Sequence, residues 1–346
     1  MCEALLSFSP HIGGIAAQEL SVKLNRRQAT LCLTSLPLLA QQALGAEPEY
    51  PNRPVRLVVP YGAGGGIDAA ARRLARELET MWGQSVVVDN KGGGDSIIGT
   101  AEVAHAKPDG YTILAQIATI AQNPHLRAKM PFDTLADLTP VVRVSTEPLY
   151  FAVTKSLGVN TIGEFIELAR RKPGKLSFGS YGNGSTSHLL LTALQKKAKV
   201  EILHVPYKST ALVVQGLMTG EIDSGLMPYT TTRIGLDSGK VLAIGSTGAT
   251  RSTVLPQVPT LEEAGLDGFT RDQWMGLFAP AKTPRSIVDK IARDVTTAVS
   301  KPEYAAWLKG FGVTPAGGTP NMFDMYFRQD YEYYRDLIKA ANVRLD

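Results

Sequence analysis

Three glycine-rich loops hold the residues of this chain best suited to ligand chemistry. They are Pro60-Tyr61-Gly62-Ala63-Gly64-Gly65-Gly66, Gly92-Gly93-Gly94-Asp95-Ser96, and Ser180-Tyr181-Gly182-Asn183-Gly184-Ser185-Thr186-Ser187. Each follows a short apolar run that reads as a strand, and a helical pattern comes after it. A strand–glycine loop–helix junction gathers unpaired backbone N–H groups at the positive end of a helix dipole, which favours an anion. Gly64 and Gly65 let the backbone approach a ligand closely. Asp68 falls in the first turn of the first helix, where it either orients a ligand or simply answers the dipole. Ser185, Thr186 and Ser187 can donate to a ligand, and helix capping accounts for the same hydroxyls. His188, beside them, reads as structural rather than as a general base.

Other chemistries fail on spacing. Gly62-x-Gly64 meets Ile67 where a dinucleotide fingerprint needs its third glycine, and the chain has no phosphate-binding P-loop. The five histidines show no metal-ligand spacing, and no G-x-S-x-G nucleophile elbow is present. No cofactor, metal or catalytic residue is therefore expected. The net charge is only +4 over 346 residues, with no basic block, so nucleic acid is not indicated as a partner. No apolar run approaches the roughly 20 residues that span a bilayer.

The elements that position these loops alternate. Strands are read at 55–59, 86–88, 111–114, 150–153, 176–178, 202–205, 241–245 and 274–279. Helices are read from Ile67 onward, over 98–106, 162–171, 187–196, 211–219 and 284–300, and over 320–340. Such alternation gives βαβ units and mainly parallel sheets. Two glycine-loop units in separate halves predict an α/β protein of two lobes. Lobe 1 is expected over 46–147 plus 271–346 and lobe 2 over 148–270, with chain crossings near 145–149 and 269–273. Ligands of open α/β sheets bind at the carboxyl ends of the strands, so the three loops would face one cleft. The aromatic set Phe323, Tyr326, Phe327, Tyr333 and Tyr334 has helical spacing and reads as packing.

Residues 1–45 read differently. Lys23 and Arg26-Arg27 precede the apolar run Ala29–Leu39, and Ala43-Leu44-Gly45 offers small residues for cleavage. This is the order of a secretory signal peptide. Both cysteines, Cys2 and Cys32, lie inside it. No lipobox precedes Cys32, so the expected product is exported, unanchored and free of disulfides.

Several segments together resemble one family. They include Pro60–Asp68 with Ala71-Arg72, Asp89-Asn90-Lys91 with Ile98-Gly99-Thr100, and Pro108-Asp109-Gly110-Tyr111-Thr112. Further on come Ser180–Ser185 with His188-Leu189, His204-Val205-Pro206-Tyr207-Lys208, Leu255–Thr260 with Glu263-Ala264-Gly265, and Trp274-x-Gly276 with Ala279-Pro280. In this order and spacing the chain, from about Tyr50 to Asp346, resembles the Bug/TctC substrate-binding receptors of tripartite tricarboxylate transporters. The resemblance implies a periplasmic, monomeric two-lobed flytrap that delivers a small carboxylate-bearing ligand to membrane transporter subunits. It implies that backbone amides and waters of the first two loops hold the carboxylate, while lobe 2 chooses the rest. Carried onto this chain, the ligand-binding set is Tyr61, Ala63, Gly64, Gly65, Asp68, Gly94, Asp95, Ser96, Ser180, Asn183, Ser185, Thr186, His188 and Tyr207.

Two departures stand out. Lys91–Ser96 replaces the family's Arg-Pro-Gly-Ala-Gly-Gly run, and Ser209 replaces a glycine. Asp95 would repel a carboxylate, which points to a zwitterionic or amide-bearing acid. Two other classes stay open: a sensor presenting its liganded state to a membrane histidine kinase, and a small-molecule hydrolase, disfavoured by the missing catalytic motifs.

Overall fold

The structure is a computed structural model that describes residues 50–345. The signal-peptide reading, with Cys2 and Cys32, lies outside the described residues. In chain order the strands are β1 (Val55–Val59), β2 (Val86–Asn90), β3 (Thr112–Ile117), β4 (Leu138–Glu147), β5 (Leu149–Thr154), β6 (Ser177–Ser180), β7 (Leu203–Pro206), β8 (Ser224–Pro228), β9 (Val241–Ser246), β10 (Gln273–Pro280) and β11 (Thr314–Pro315). The helices are α1 (Gly66–Trp82), α2 (Ile97–Ala104), α3 (Thr119–Leu126), α4 (Ile162–Arg171), α5 (Thr186–Ala198), α6 (Thr210–Thr219), α7 (Tyr229–Asp237), α8 (Arg285–Val299), α9 (Pro302–Lys309) and α10 (Pro320–Ala341).

The strands form two sheets, ordered β11-β4-β10-β3-β1-β2 and β7-β6-β8-β5-β9. Both are mixed, which corrects the expectation of mainly parallel sheets. In the first, β1 pairs in parallel with β2 and β3, but β10 runs antiparallel between β3 and β4. In the second, β6 is parallel to β7 and β8, but β5 runs antiparallel between β8 and β9. The two reversed strands have one cause. The chain leaves β4 at Glu147 and, after Pro148 alone, starts β5 at Leu149 opposite Pro228, the last residue of β8. A strand entering a sheet at its neighbours' carboxyl ends must run against them. β10 enters the first sheet in the same way, with Gln273 opposite Glu147.

The local sequence explains each element that frames the site. β1 is buried on both faces, as suits a central strand between helices. In α1, Ala71, Leu74 and Leu78 recur at helical spacing and are at most 1% exposed. Each buried leucine contributes about 1.5–3 kcal/mol. The helix begins after Gly65 and stops at Gly83, which is left-handed at φ 61° and returns its N–H to Glu79 O. In α10, Phe323, Phe327, Tyr334, Leu337 and Ile338 are buried on one face, so the aromatic set is largely packing, as its spacing predicts. Phe323 and Phe327 meet Trp274 and Phe278 of β10 edge-on or tilted. Gly276 belongs to this cluster because a Cβ there would overlap the Phe323 ring. One continuous core joins these groups to Leu189, Leu190 and Leu194 of α5.

Some elements escaped the sequence reading for recognisable reasons. β4 carries Pro140, but it is an edge strand along most of its length, where proline is tolerated. β8 is Ser-Gly-Leu-Met-Pro, and α3 contains Pro124. α7 opens Tyr-Thr-Thr-Thr and contains Gly235, a poor helix former on propensity. α9 lies in the stretch between the helices read over 284–300 and 320–340, where the sequence reading places no element. Among the described residues no helix is long and apolar enough to cross a membrane.

Candidate functional site

Beneath the first two loops lies a buried polar network. Asp68, 4% exposed, accepts from Gly64 N (2.8 Å), Arg72 Nε (3.1 Å) and Asn90 Nδ2 (3.0 Å). Burial pushes its carboxyl up, but those three donors outweigh it and leave the group below the usual carboxylate range. Asn90 also donates to Tyr61 O, at 3.2 Å. The Tyr61 hydroxyl donates to Gln116 Oε1 (2.5 Å), and Gln116 Nε2 donates to Ser96 Oγ and Thr100 Oγ1, both at 3.0 Å. Asp68, Tyr61 and Ser96 therefore hold the loops in shape from below. Ala63, Gly64 and Gly65 are exposed in the loop that opens α1.

Gly94, Asp95 and Ser96 all take left-handed backbone, with φ of 55°, 51° and 75°. The Asp95 side chain pairs with Arg127, and Asn123 Nδ2 holds the Asp95 carbonyl at 2.8 Å. Asp95 is thus neutralised within the chain, which removes the repulsion that had pointed to a zwitterionic or amide-bearing acid. Its side chain is 62% exposed. Asp95→Ala is accordingly expected to cost no more than about 1 kcal/mol, checked by thermal denaturation at low and high salt.

In the second sheet, Ser180 Oγ meets His204 Nε2 at 2.7 Å. His188 stacks on His204 with ring centroids 3.9 Å apart, and its Nδ1 accepts from Gly184 N at 3.1 Å. Burial lowers the pKa of both rings, and the neighbouring His188 adds to this at His204, pushed down to about 4. Both shifts favour the neutral form of the pair. Ser185 caps α5, accepting from His188 N, and Thr186 Oγ1 accepts from Gln122 Nε2 at 2.7 Å. Asn183 is exposed in the loop. Tyr207 packs its ring against Gly179, Gly216 and Ile222, inside the second lobe.

A cavity of about 420 Å³ lies between the two sheets. Its walls come from the start of α1 (Gly66, Ile67, Ala69, Ala70), the crossing Ser145–Glu147 with Leu149, and the start of β10 (Gln273, Trp274, Met275). Tyr181, Thr210, Pro228, Thr230 and Thr231 face them from the second lobe, and Trp307, Leu308, Phe311 and Val313 close one side. None of the fourteen residues carried over from the loops forms its wall. Their immediate neighbours Gly66 and Tyr181 do.

Three helix N-termini open on this cavity: α1 at Gly66, α6 at Thr210 and α7 at Thr230 and Thr231. The N-cap residues of α1 and α7 are Gly65 and Pro228, whose side chains cap nothing. Their first N–H groups are left without intrahelical partners. Tyr181, its hydroxyl pushed up to about 12 by burial, stays protonated and able to donate. Among the described residues no Lys, Arg or His lines the cavity. Such a site can hold an anion by amides and dipoles, without a countercharge.

The sequence reading missed Gln116, Glu147, Gln273 and the wall from Trp307 to Val313. Glu147 could have been flagged, as a lone acid inside the predicted crossing. Gln273 and Trp307 carry no local signal. Burial, with the charge of Asp272, raises the Glu147 carboxyl to about 7. Trp274 Nε1 donates to Asp330 Oδ2 at 2.7 Å. Asp330 is pushed up to about 6 by burial, in spite of that bond and of Arg271 and Arg143.

Comparison with known proteins agrees with this geometry. The model of the tripartite tricarboxylate transporter family receptor, TctC, matches residues 70–343. The UPF0065 protein in the tcbD-tcbE intergenic region of Pseudomonas sp. (strain P51) is 37% identical over 290 residues, 84% of this chain and 86% of its own. Among solved structures, the periplasmic binding protein BugD matches with a TM-score of 0.70 at 34% identity, covering 85% of this chain and 99% of BugD. R. palustris Rpa4515 with adipate matches with a TM-score of 0.74 at 31% identity, covering 86% and 99%. The family is one of receptors rather than enzymes, and the solved structures this chain matches, periplasmic binding proteins among them, share the two-lobed flytrap fold. The chain belongs to the TctC family of periplasmic solute-binding receptors.

Proposed function

We propose that this receptor captures a small carboxylate-bearing solute in the cavity between its sheets and delivers it to the membrane subunits of a tripartite tricarboxylate-type transporter. The carrying observation is the cavity lined by three helix N-termini and, among the described residues, no basic side chain. The free amides of α1 and α7, together with the loop residues they continue, receive the carboxylate directly or through waters. The apolar wall from Ile67 to Phe311 receives the body of the ligand. The adipate complex of the R. palustris relative, a dicarboxylate with an apolar middle, supports this reading.

Lobe 1 comprises 46–147 plus 271–346 and lobe 2 comprises 148–270, and they close about the crossings at Pro148 and 271–272. Ligand touching both lobes favours the closed form by its differential affinity. Because α10 packs on β4 and α3 and also on α5, closure must slide α5 against α10, where Thr186 Oγ1 and the Tyr334 hydroxyl are 3.5 Å apart. The receptor acts as a monomer in the periplasm, exported by the signal peptide at 1–45.

A thermal-shift screen of residues 46–346 against aliphatic and aromatic carboxylates tests the reading. A ligand at 100 times its Kd adds about 2.7 kcal/mol. At about 2 °C per kcal/mol for a chain of this size, that is a rise of about 5 °C. The same ligand should lower the radius of gyration in small-angle scattering. If no carboxylate raises Tm, even after denaturation and refolding to strip retained solute, the carboxylate reading is wrong.

A further inference from the structure

We propose that Glu147 selects the solute by pairing with an ammonium group, so that the ligand is an amino-bearing carboxylic acid rather than a plain di- or tricarboxylate. This rests on the reading of the cavity as a carboxylate site and adds the ligand's second polar group. Among the described residues Glu147 is the only charged one in the cavity wall. Among the described residues its carboxylate makes neither an ion pair nor a side-chain hydrogen bond, and it is partly open to the cavity. The arginines nearest the crossing are committed elsewhere. The Arg143 guanidinium lies 4.2 Å from the Tyr326 ring centre, and that of Arg271 lies 3.9 Å from Tyr333 and faces Asp330.

Directly across the ladder from Glu147 stands Gln273, on the same face and in the same wall. Its Nε2 is buried without an acceptor, and the adjoining Asp272 Oδ1 is buried without a donor. The Glu147 carboxylate as acceptor and Gln273 Nε2 as donor, side by side in the wall, match a group that carries N–H beside an oxygen, as in the head of an amino acid. Helix N-termini supply the positive end of the cavity, and Glu147 supplies the negative end. A dipolar cavity of this kind favours a dipolar ligand. Burial and the charge of Asp272 raise the Glu147 carboxyl, and an ammonium beside it would oppose that shift.

The test uses matched pairs that differ only in the amino group: aspartate and succinate, 2-aminoadipate and adipate, phenylalanine and 3-phenylpropanoate. Binding to the refolded protein is measured by calorimetry, with Glu147→Gln alongside. The expected result is an amino acid binding at least tenfold tighter than its desamino partner, with that ratio collapsing towards one in Glu147→Gln. Glu147→Gln should fold at least as well as the wild type at pH 8, since it removes an uncompensated carboxylate, so a lost ratio cannot be ascribed to unfolding. Desamino acids binding as tightly or tighter would overturn the ammonium reading and keep the carboxylate site. That is the pattern of a protonated Glu147 donating to the ligand's second carboxylate. A ratio that survives in Glu147→Gln would overturn the role of Glu147. If neither series binds while the matched amine 2-phenylethylamine does, the carboxylate reading falls and the Glu147 contact stands; if nothing binds, both fall.

Discussion

Trp274→Ala is expected to destabilise the protein by about 3–5 kcal/mol, the range for truncating a buried tryptophan. Trp274 is 1% exposed, and its ring meets Phe278, Phe323 and Phe327. At about 2 °C per kcal/mol this lowers Tm by about 6–10 °C, read by calorimetry. The same ring is part of the cavity wall, so the variant should also lose most of its response to ligand. Trp274→Phe separates packing from hydrogen bonding. It keeps an aromatic ring but removes the donor to Asp330, leaving a buried carboxyl less satisfied, at a cost of about 1–3 kcal/mol.

The pH dependence of Trp274→Phe carries a sign. Asp330 titrates near 6 in the folded protein, above its ordinary value of 3.8. The folded state therefore holds this proton more tightly than the unfolded state does. The stabilisation this brings is complete below pH 3.8 and is lost as pH rises through 6. Without the indole N–H the carboxyl moves higher still, since a bond to its charged form is gone. The stability deficit of Trp274→Phe should be larger at pH 8 than at pH 5 in urea titrations. A deficit independent of pH would show that the bond to Asp330 contributes nothing.

Asp68→Ala is the second large effect. It strips the acceptor from Gly64 N–H, Arg72 and Asn90 together, and hydrogen bonds to a charged group contribute about 1.5–3 kcal/mol. A loss of about 2–3 kcal/mol at pH 7 is expected by chemical denaturation. Because Asp68 titrates below its ordinary value, its contribution is present above pH 3.8 and fades as pH falls through the folded pKa. The gap between wild type and Asp68→Ala should therefore narrow towards pH 3. The same bonds fix the loop ahead of α1, so ligand affinity should fall about tenfold or more in Asp68→Ala and less in Asp68→Asn, which keeps one acceptor. Unchanged affinity in Asp68→Ala would mean that this loop takes no part in binding.

These variants mark where the sequence was legible and where it was not. Periodicity revealed α1 and α10, because each buries one stripe of its surface and the stripe repeats every turn. Short β-branched runs between turn residues revealed β1, β2, β5 and β9. β4, β8 and α7 were hidden because proline, glycine or a threonine run contradicts their local state, and tertiary pairing overrides propensity there. Asp95 looked like an unpaired acid in a ligand loop, since its partner Arg127 lies 32 residues away.

The sequence by itself determined the α/β class, the two glycine-loop halves, the anion-favouring helix starts and the family. Each of these rests on residues adjacent in the chain or at a fixed local spacing, which a one-dimensional reading can see. The tertiary structure alone decided the reversed strands, the network on Gln116 and the wall of the cavity. Glu147 and Gln273 stand 126 residues apart and become neighbours only through the β4–β10 ladder. Trp307 and Phe311 reach the same cavity from the far end of the chain. Whether a carboxylate is paired or faces a ligand depends on what folding brings within a few ångströms of it, because the energy of a charge is set by its surroundings in space and not by its place in the chain.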